Sequence, residues 1–263
     1  MEYPCYVLHV KEGYEEREKS IAEQFAKLSI PVKWILDFDV AELGNEVLEK
    51  YGFYGTLLRD SEISCCLKHI SAWEKIASGP DQAGFVFEDD VLIDREKFMK
   101  IAEQAIAEFH NSGKEEGCLC FGDGCAMYVP WTKLKKNRRL YQAEQVRAAD
   151  SYWLTQKTAG RMLDWLAANG FSLPADHLIT KIANELCIPI YWVEPTVVSQ
   201  GSHTGRFSSM LKEKDRGELK EKVNWIVKKL RRKYLYPLIG ADPRKMTPES
   251  RKKLDIDGNR KKL

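Results

Sequence analysis

Short apolar segments alternate with amphipathic segments along the first 200 residues of the chain. Six of them are apolar, four to five residues long and bounded by Gly, Pro or polar residues, which is typical of buried strands. These are residues 6–10, 32–36, 84–87, 118–122, 151–154 and 190–193. Five segments with helical spacing of apolar positions lie between or after them: residues 15–28, 63–77, 98–109, 157–168 and 176–186. The alternation predicts an α/β fold, an open and mostly parallel sheet flanked by helices.

The pattern changes after Ser208. Residues 218–235 predict a basic amphipathic helix, and the chain beyond Gly240 is polar and rich in charge. We therefore expect an α/β body over residues 1–208 and a basic helical extension over residues 209–263.

The net charge of +2 hides an asymmetry between these parts. Residues 212–263 carry 18 Lys and Arg against 8 Asp and Glu, whereas the rest of the chain carries 23 against 31. Such a tail usually meets an anionic partner. No nucleic-acid-binding module is recognisable, so the partner that we expect is an anionic membrane surface; the alternative is a helix that packs on the body of the protein with its basic face in solvent.

The sequence also indicates in which cellular compartment the protein is expected. No stretch has the roughly 18–20 apolar residues that cross a bilayer, and residues 1–4 lack the features of a signal peptide. The seven cysteines include no CxxC pair, which disfavours a zinc ribbon and indicates reduced, buried thiols. We expect a cytoplasmic protein, with the inner face of the membrane as the place where the tail would bind.

The strongest candidate for chemistry is Glu88-Asp89-Asp90, directly after the apolar strand 84–87. Three successive carboxylates repel one another, and ligands of open α/β sheets bind at the carboxyl ends of strands. Glu88 and Asp90 project to the same side of an extended strand, and Asp89 points away. This arrangement suits Mg²⁺ or Mn²⁺; the alternative is a solvated acidic turn.

Five segments together resemble glycosyltransferase family 25, the lipooligosaccharide-biosynthesis type related to collagen galactosyltransferases. Residues 58–73 (LRDSEISCCLKHISAW) resemble the family segment GEIGCALSHISAW, and residues 85–91 (FVFEDDV) follow in family order. Weaker matches are residues 6–10 with Arg17 behind them, residues 149–159 and residues 173–177.

The resemblance implies a GT-A-like fold that binds a UDP-sugar through Mn²⁺ or Mg²⁺ and transfers a hexose, galactose foremost, with inversion to a saccharide or glycolipid acceptor. Glu88 and Asp90 would hold the metal, with His203 as a further ligand or an incidental loop histidine. Asp176, or its rival Asp123, would be the general base. The donor would be contacted by His9, Arg17, His69, Glu88 and Asp89.

Two departures from the family pattern keep another class of function open. The family asparagine near the first strand is His9, and a family serine is Lys68. A catalytically silent binding module of membrane-bound glycan assembly is the main alternative, and a metal-dependent phosphoryl-transfer enzyme or nuclease is a third.

Overall fold

The computed structural model describes residues 3–55, 57–124, 127–201, 223 and 226–245. Nine strands lie in these residues: β1 (Cys5–Leu8), β2 (Val32–Ile35), β3 (Ala83–Glu88), β4 (Val91–Ile93), β5 (Cys118–Cys120), β6 (Leu140–Ala143), β7 (Ser151–Thr155), β8 (Ile190–Val193) and β9 (Val198–Gln200). The main helices are α1 (Glu15–Lys27), α2 (Asn45–Lys50), α3 (Asp60–Ser78), α4 (Phe98–Asn111), α5 (Gln156–Asn169) and α6 (Ala175–Glu185).

Seven strands form one sheet in the order β2-β1-β3-β7-β5-β8-β6. The strands β2, β1, β3, β5 and β8 run in one direction, and β7 and β6 run against them. The predicted open, mostly parallel sheet flanked by helices is therefore confirmed. The apolar pattern alone does not predict that the central strand β7 runs antiparallel to its neighbours.

Both faces of the central part of the sheet are covered, which explains why strands such as β1, β3 and β5 are apolar almost throughout. Side chains alternate between two cores along each strand: Val86 of β3 packs in the core beneath α3, α5 and α6, whereas Phe85 and Phe87 pack in the core with α1 and α4. The helices thus hold the central strands in fixed positions. The carboxyl ends of these strands are the edge of the sheet at which we look for a binding site.

A second, two-stranded sheet holds the segment after β3. The strand β4 starts directly beyond Glu88-Asp89-Asp90 and pairs antiparallel with β9. The N–H of Gly201 donates to the carbonyl of Asp90 at 2.7 Å, and the N–H of Asp123 donates to the carbonyl of Val198 at 2.9 Å. The three acids, which we call the acidic tip, therefore occupy a tight turn braced by β9.

The described part of the tail packs on the body. Residues 226–238 form the C-terminal helix, which includes a π-helical stretch at Arg231–Leu235. Behind it, Asp242 accepts a hydrogen bond from Lys133 at 2.7 Å, and the carbonyl of Pro243 accepts one from Gln145 at 2.7 Å. The predicted boundary at residues 208 and 209 lies outside the described residues. Within those residues, no helix combines the length and the apolar content of a membrane span.

Candidate active site at the carboxyl edge of the sheet

Acidic side chains from three neighbouring strands meet at one edge of the sheet. The acidic tip follows the carboxyl end of β3, and Asp123 follows β5. Asp150 immediately precedes β7, and because β7 runs antiparallel its first residue lies at the same edge. The sheet topology thus brings Asp123 and Asp150 to the three consecutive carboxylates of the acidic tip.

Asp89 points toward β1 and α1, as the alternation along an extended strand predicts. Its carboxylate lies 2.7 Å from Nδ1 of His9 and accepts a hydrogen bond from the Arg17 guanidinium at 2.9 Å. The Arg17 guanidinium also lies over the Tyr14 ring, 4.6 Å from its centroid. Asp89 is therefore buried with a cationic partner, and His9 and Arg17 anchor the acidic tip from one side.

Glu88 faces the opposite core, toward α3. Its carboxylate accepts a hydrogen bond from the Gln200 side-chain amide at 3.1 Å, and its other oxygen lies 3.7 Å from Nε2 of His69. Burial and the negative charges of Asp90 and Asp89 raise the pKa of Glu88 to about 8. The charge of Arg17 offsets this rise in the pKa of Glu88 only in part, because the guanidinium bonds to Asp89.

Asp150 is a residue of this edge that the sequence interpretation missed. It is buried, and burial together with the charge of Glu88 raises the pKa of its carboxyl well above the ordinary range, with smaller contributions from Asp123 and Asp90. A Cβ on Gly122 would lie 2.0 Å from an oxygen of Asp150, so only glycine permits this approach. The direction of β7 brings Asp150 here, and no local motif signals it.

Asp123 is held by the tail of the chain. Its side chain is 1% exposed, and one carboxylate oxygen accepts hydrogen bonds from the Tyr128 hydroxyl and from the Lys229 ammonium of the C-terminal helix. The other oxygen is buried and has no hydrogen-bond partner among the described residues. Lys229 was not expected at this edge, because 106 residues separate it from Asp123.

Asp176 and His69 lie on the α3 and α6 side. Asp176 begins the first turn of α6, where its carboxylate accepts the N–H of His177 at 2.8 Å; its side chain is half-buried. The charge of Asp176 makes a smaller contribution to the raised pKa of Glu88, so the two carboxylates repel each other. His69 is completely buried, and burial lowers its pKa to about 3. His203 lies outside the described residues.

These residues offer the type of donor atom that a hard divalent cation binds. The donors at the edge are carboxylate oxygens, which Mg²⁺ and Mn²⁺ prefer. Burial, and after it the neighbouring carboxylates, raise the pKa values of Glu88 and Asp150, so ionising either carboxyl at this edge is unfavourable. A bound cation would favour the ionised forms.

A cavity of about 650 Å³ lies elsewhere, among residues such as Gln142, Lys157 and Asn184. None of the predicted site residues lines it. It lies beside the start of β8 and the end of β6, away from the edge where open α/β sheets bind their ligands.

One of three comparisons with known proteins, the family model, agrees with the resemblance seen in the sequence. A search of curated proteins found no match. Among solved structures, the chain is similar to the crystal structure of S. aureus TarS 1–349, with 14% identity over 94% of this chain and 77% of that one, at a TM-score of 0.41. The model of "Glycosyltransferase family 25 (LPS biosynthesis protein)" matches residues 4–179, a span that contains the acidic tip, Asp123, Asp150 and Asp176. The chain therefore belongs to glycosyltransferase family 25.

Proposed function

We propose that the protein transfers a hexose from a UDP-sugar, with galactose from UDP-galactose as the first donor, to a saccharide hydroxyl of lipooligosaccharide or another cell-surface glycan. Family membership supports glycosyl transfer. The observation that carries the proposal for this chain is the gathering of Glu88, Asp90, Asp123 and Asp150 at the carboxyl edge with raised pKa values of Glu88 and Asp150. A divalent cation would stabilise the ionised carboxylates of this edge. The same cation would bind the phosphates of a nucleoside diphosphate sugar donor.

Glu88 and Asp90 are the residues that we propose to hold Mg²⁺ or Mn²⁺, with His203 as a further candidate. The cation would neutralise the charge that develops on the departing nucleoside diphosphate. Asp89 has a different role: its pairs with His9 and Arg17 fix the tip, so that the neighbouring carboxylates keep their positions. The partly exposed Arg17 is well placed to contact the donor as well.

Asp176 is the general base that we favour over Asp123. Asp176 is half-buried and its charge acts on Glu88, whereas Asp123 is buried and bonded to Lys229 and Tyr128. A carboxylate that accepts the proton of the acceptor hydroxyl lets the hydroxyl oxygen attack the anomeric carbon opposite the leaving group. That single displacement inverts the anomeric configuration.

Substitution of the two candidate bases separates them. We expect Asp176→Asn to lower kcat by about 10²–10⁴-fold with donor binding unchanged, which is the usual contribution of a general base. Asp123→Asn should retain more activity than Asp176→Asn. The measurement is kcat together with UDP-sugar affinity by calorimetry. The reverse order of the two effects would make Asp123 the base.

The proposed activity is tested by incubating the protein with UDP-galactose, saccharide acceptors and Mn²⁺. We expect transfer to stop with EDTA and to fall by at least about 100-fold in Asp90→Ala, since a catalytic metal contributes several kcal/mol to the barrier. Full activity in EDTA or in Asp90→Ala would contradict the metal role. If no UDP-sugar binds while membranes do, the protein is the silent binding module instead. Phosphate release or strand cleavage without a sugar donor would point to phosphoryl transfer.

The tail supports a second part of the proposal, association with the inner, anionic face of a membrane. The C-terminal helix exposes Ile226, Leu230, Leu235 and Leu238 by half or more, beside the basic run Arg231-Arg232-Lys233. Exposed apolar residues next to basic ones are typical of interfacial helices. This association would bring a cytoplasmic enzyme to a lipid-linked acceptor.

Vesicle sedimentation tests the membrane association. Leu238→Glu should weaken binding to vesicles of phosphatidylglycerol and phosphatidylcholine, and vesicles of phosphatidylcholine alone should bind weakly. Leu57→Glu is the matched control, because Leu57 is 92% exposed and lies outside the tail. Equal loss in both variants, or equal binding to both kinds of vesicle, would contradict the proposal.

A further inference from the structure

A cysteine, a histidine and a glutamate meet where α3 passes the end of β3. Cys65 and His69 are four residues apart on α3, which places them on one face of the helix. One ligand atom from each of Cys65, His69 and Glu88 lies within 4.8 Å of the other two. This thiol, imidazole and carboxylate set, which we call the Cys-His-Glu cluster, differs from the all-oxygen set at the acidic tip.

The imidazole of His69 is oriented toward the other two side chains. Its Nε2 is completely buried and has no hydrogen-bond partner among the described residues, although Glu88 lies 3.7 Å away. On the other side of the His69 ring, Nδ1 lies 2.9 Å from the hydroxyl oxygen of Tyr152. The same oxygen accepts a hydrogen bond from the indole N–H of Trp73 at 2.8 Å. A metal-binding histidine typically has such a second contact on its other nitrogen, which fixes the ring.

We propose that Cys65, His69 and Glu88 form a binding site for Zn²⁺. Tetrahedral zinc, with bonds of about 2.0–2.3 Å, separates its ligand atoms by about 3.3–3.8 Å. One nitrogen and one oxygen ligand would be about 3.3–3.5 Å apart, so the His69–Glu88 separation of 3.7 Å needs to shorten by only a few tenths of an ångström. The thiol proton passes to solvent when the sulfur binds. Cys65 and Glu88 are both partly exposed, so the ion enters from that side and water completes its coordination.

The chemistry of the donors separates this site from the proposed Mg²⁺ or Mn²⁺ site. Thiolate and imidazole ligands favour zinc, whereas Mg²⁺ and Mn²⁺ prefer carboxylate oxygens. Both sites need Glu88, so they compete for it. Zinc at the cluster would therefore inhibit transfer by taking Glu88 from the acidic tip. The inhibition rests on the proposed function, but zinc binding does not.

Cobalt serves as a spectroscopic substitute for zinc in the test. The full-length protein is titrated with Co²⁺, and we expect a thiolate-to-cobalt charge-transfer band with the visible bands of tetrahedral cobalt, both removed by Zn²⁺. Cys65→Ser should abolish the charge-transfer band. Cys187→Ser is the matched control and should retain it, because Cys187 is an exposed thiol outside the cluster. Wild-type protein without the band, or a band retained in Cys65→Ser, would overturn the proposal.

A second measurement needs no variant, so it holds even if Cys65→Ser does not fold. Zinc X-ray absorption of the wild-type protein should show one sulfur at about 2.3 Å and nitrogen or oxygen ligands at about 2.0 Å. Coordination by nitrogen and oxygen alone would overturn the site. Zinc binding without any glycosyl transfer would contradict the proposed function and leave the zinc site standing.

Discussion

At the scale of single residues, the acidic tip divides its three charges between two directions. Asp89 turns toward Arg17 and His9, whereas Glu88 turns toward α3 and keeps a pKa of about 8. The two-residue period of an extended strand is enough to predict this split. It is not enough to identify the partners, since Arg17 lies 72 residues from Asp89 in the sequence.

The Asp89 pair supports a stability prediction. Asp89→Ala should lower the free energy of unfolding by about 3 kcal/mol, because it leaves the Arg17 charge in a largely buried place without this counter-charge. Asp94→Ala is the control: its partner Lys97 is exposed, and such surface pairs contribute less than about 1 kcal/mol. Urea unfolding measures both values. Equal losses would show that the Asp89 pair contributes no more than a surface pair.

At the scale of elements, the strand and helix pattern carries most of the information. The central strands, with Phe85, Val86 and Phe87 buried on both faces, are predictable because they must be apolar throughout. The short strands β4, β6 and β9 were missed: β6 and β9 include polar residues, and β4 follows the acidic tip without a break that would mark a new strand. The direction of β7 was missed as well, and with it the arrival of Asp150 at the site.

The C-terminal segment supports a prediction about pH. Burial disfavours the ionised form of Asp242, but hydrogen bonds from Arg244 and Lys133 outweigh it and hold the pKa of that carboxyl well below the ordinary range. A lowered pKa stabilises the docked segment at pH values above the ordinary aspartate pKa of about 3.9, and the contribution is lost as the pH falls below it. Hydrogen exchange of residues 226–245 should therefore accelerate in acid relative to the body.

Asp242→Asn tests the same contact at neutral pH. The amide keeps the shape but loses the charge, so we expect faster exchange of residues 226–245 at pH 7 and a weaker dependence on acid. Lys97→Gln, in an exposed pair elsewhere, is the control and should not affect these residues. Unchanged exchange in Asp242→Asn would show that the ion pairs do not hold the segment.

At the scale of the whole molecule, an acidic body meets its own basic tail at the candidate active site. Lys229 of the C-terminal helix bonds to Asp123, which follows β5, while the apolar side chains of that helix remain exposed. The charge asymmetry of the sequence predicted an anionic partner for the tail and left its identity open. The structure shows that part of this partner is the protein itself, and the exposed residues remain for the proposed membrane contact.

The most direct test of the central claim is the melting temperature of the protein with UDP-galactose, measured with and without Mn²⁺. A ligand that binds only the folded state must raise the melting temperature. We predict a rise that requires Mn²⁺ and disappears in Asp90→Asn, with Asp94→Asn behaving as the wild type. A rise of the same size in EDTA, or in Asp90→Asn, would contradict the claim that a cation at the acidic tip binds the donor.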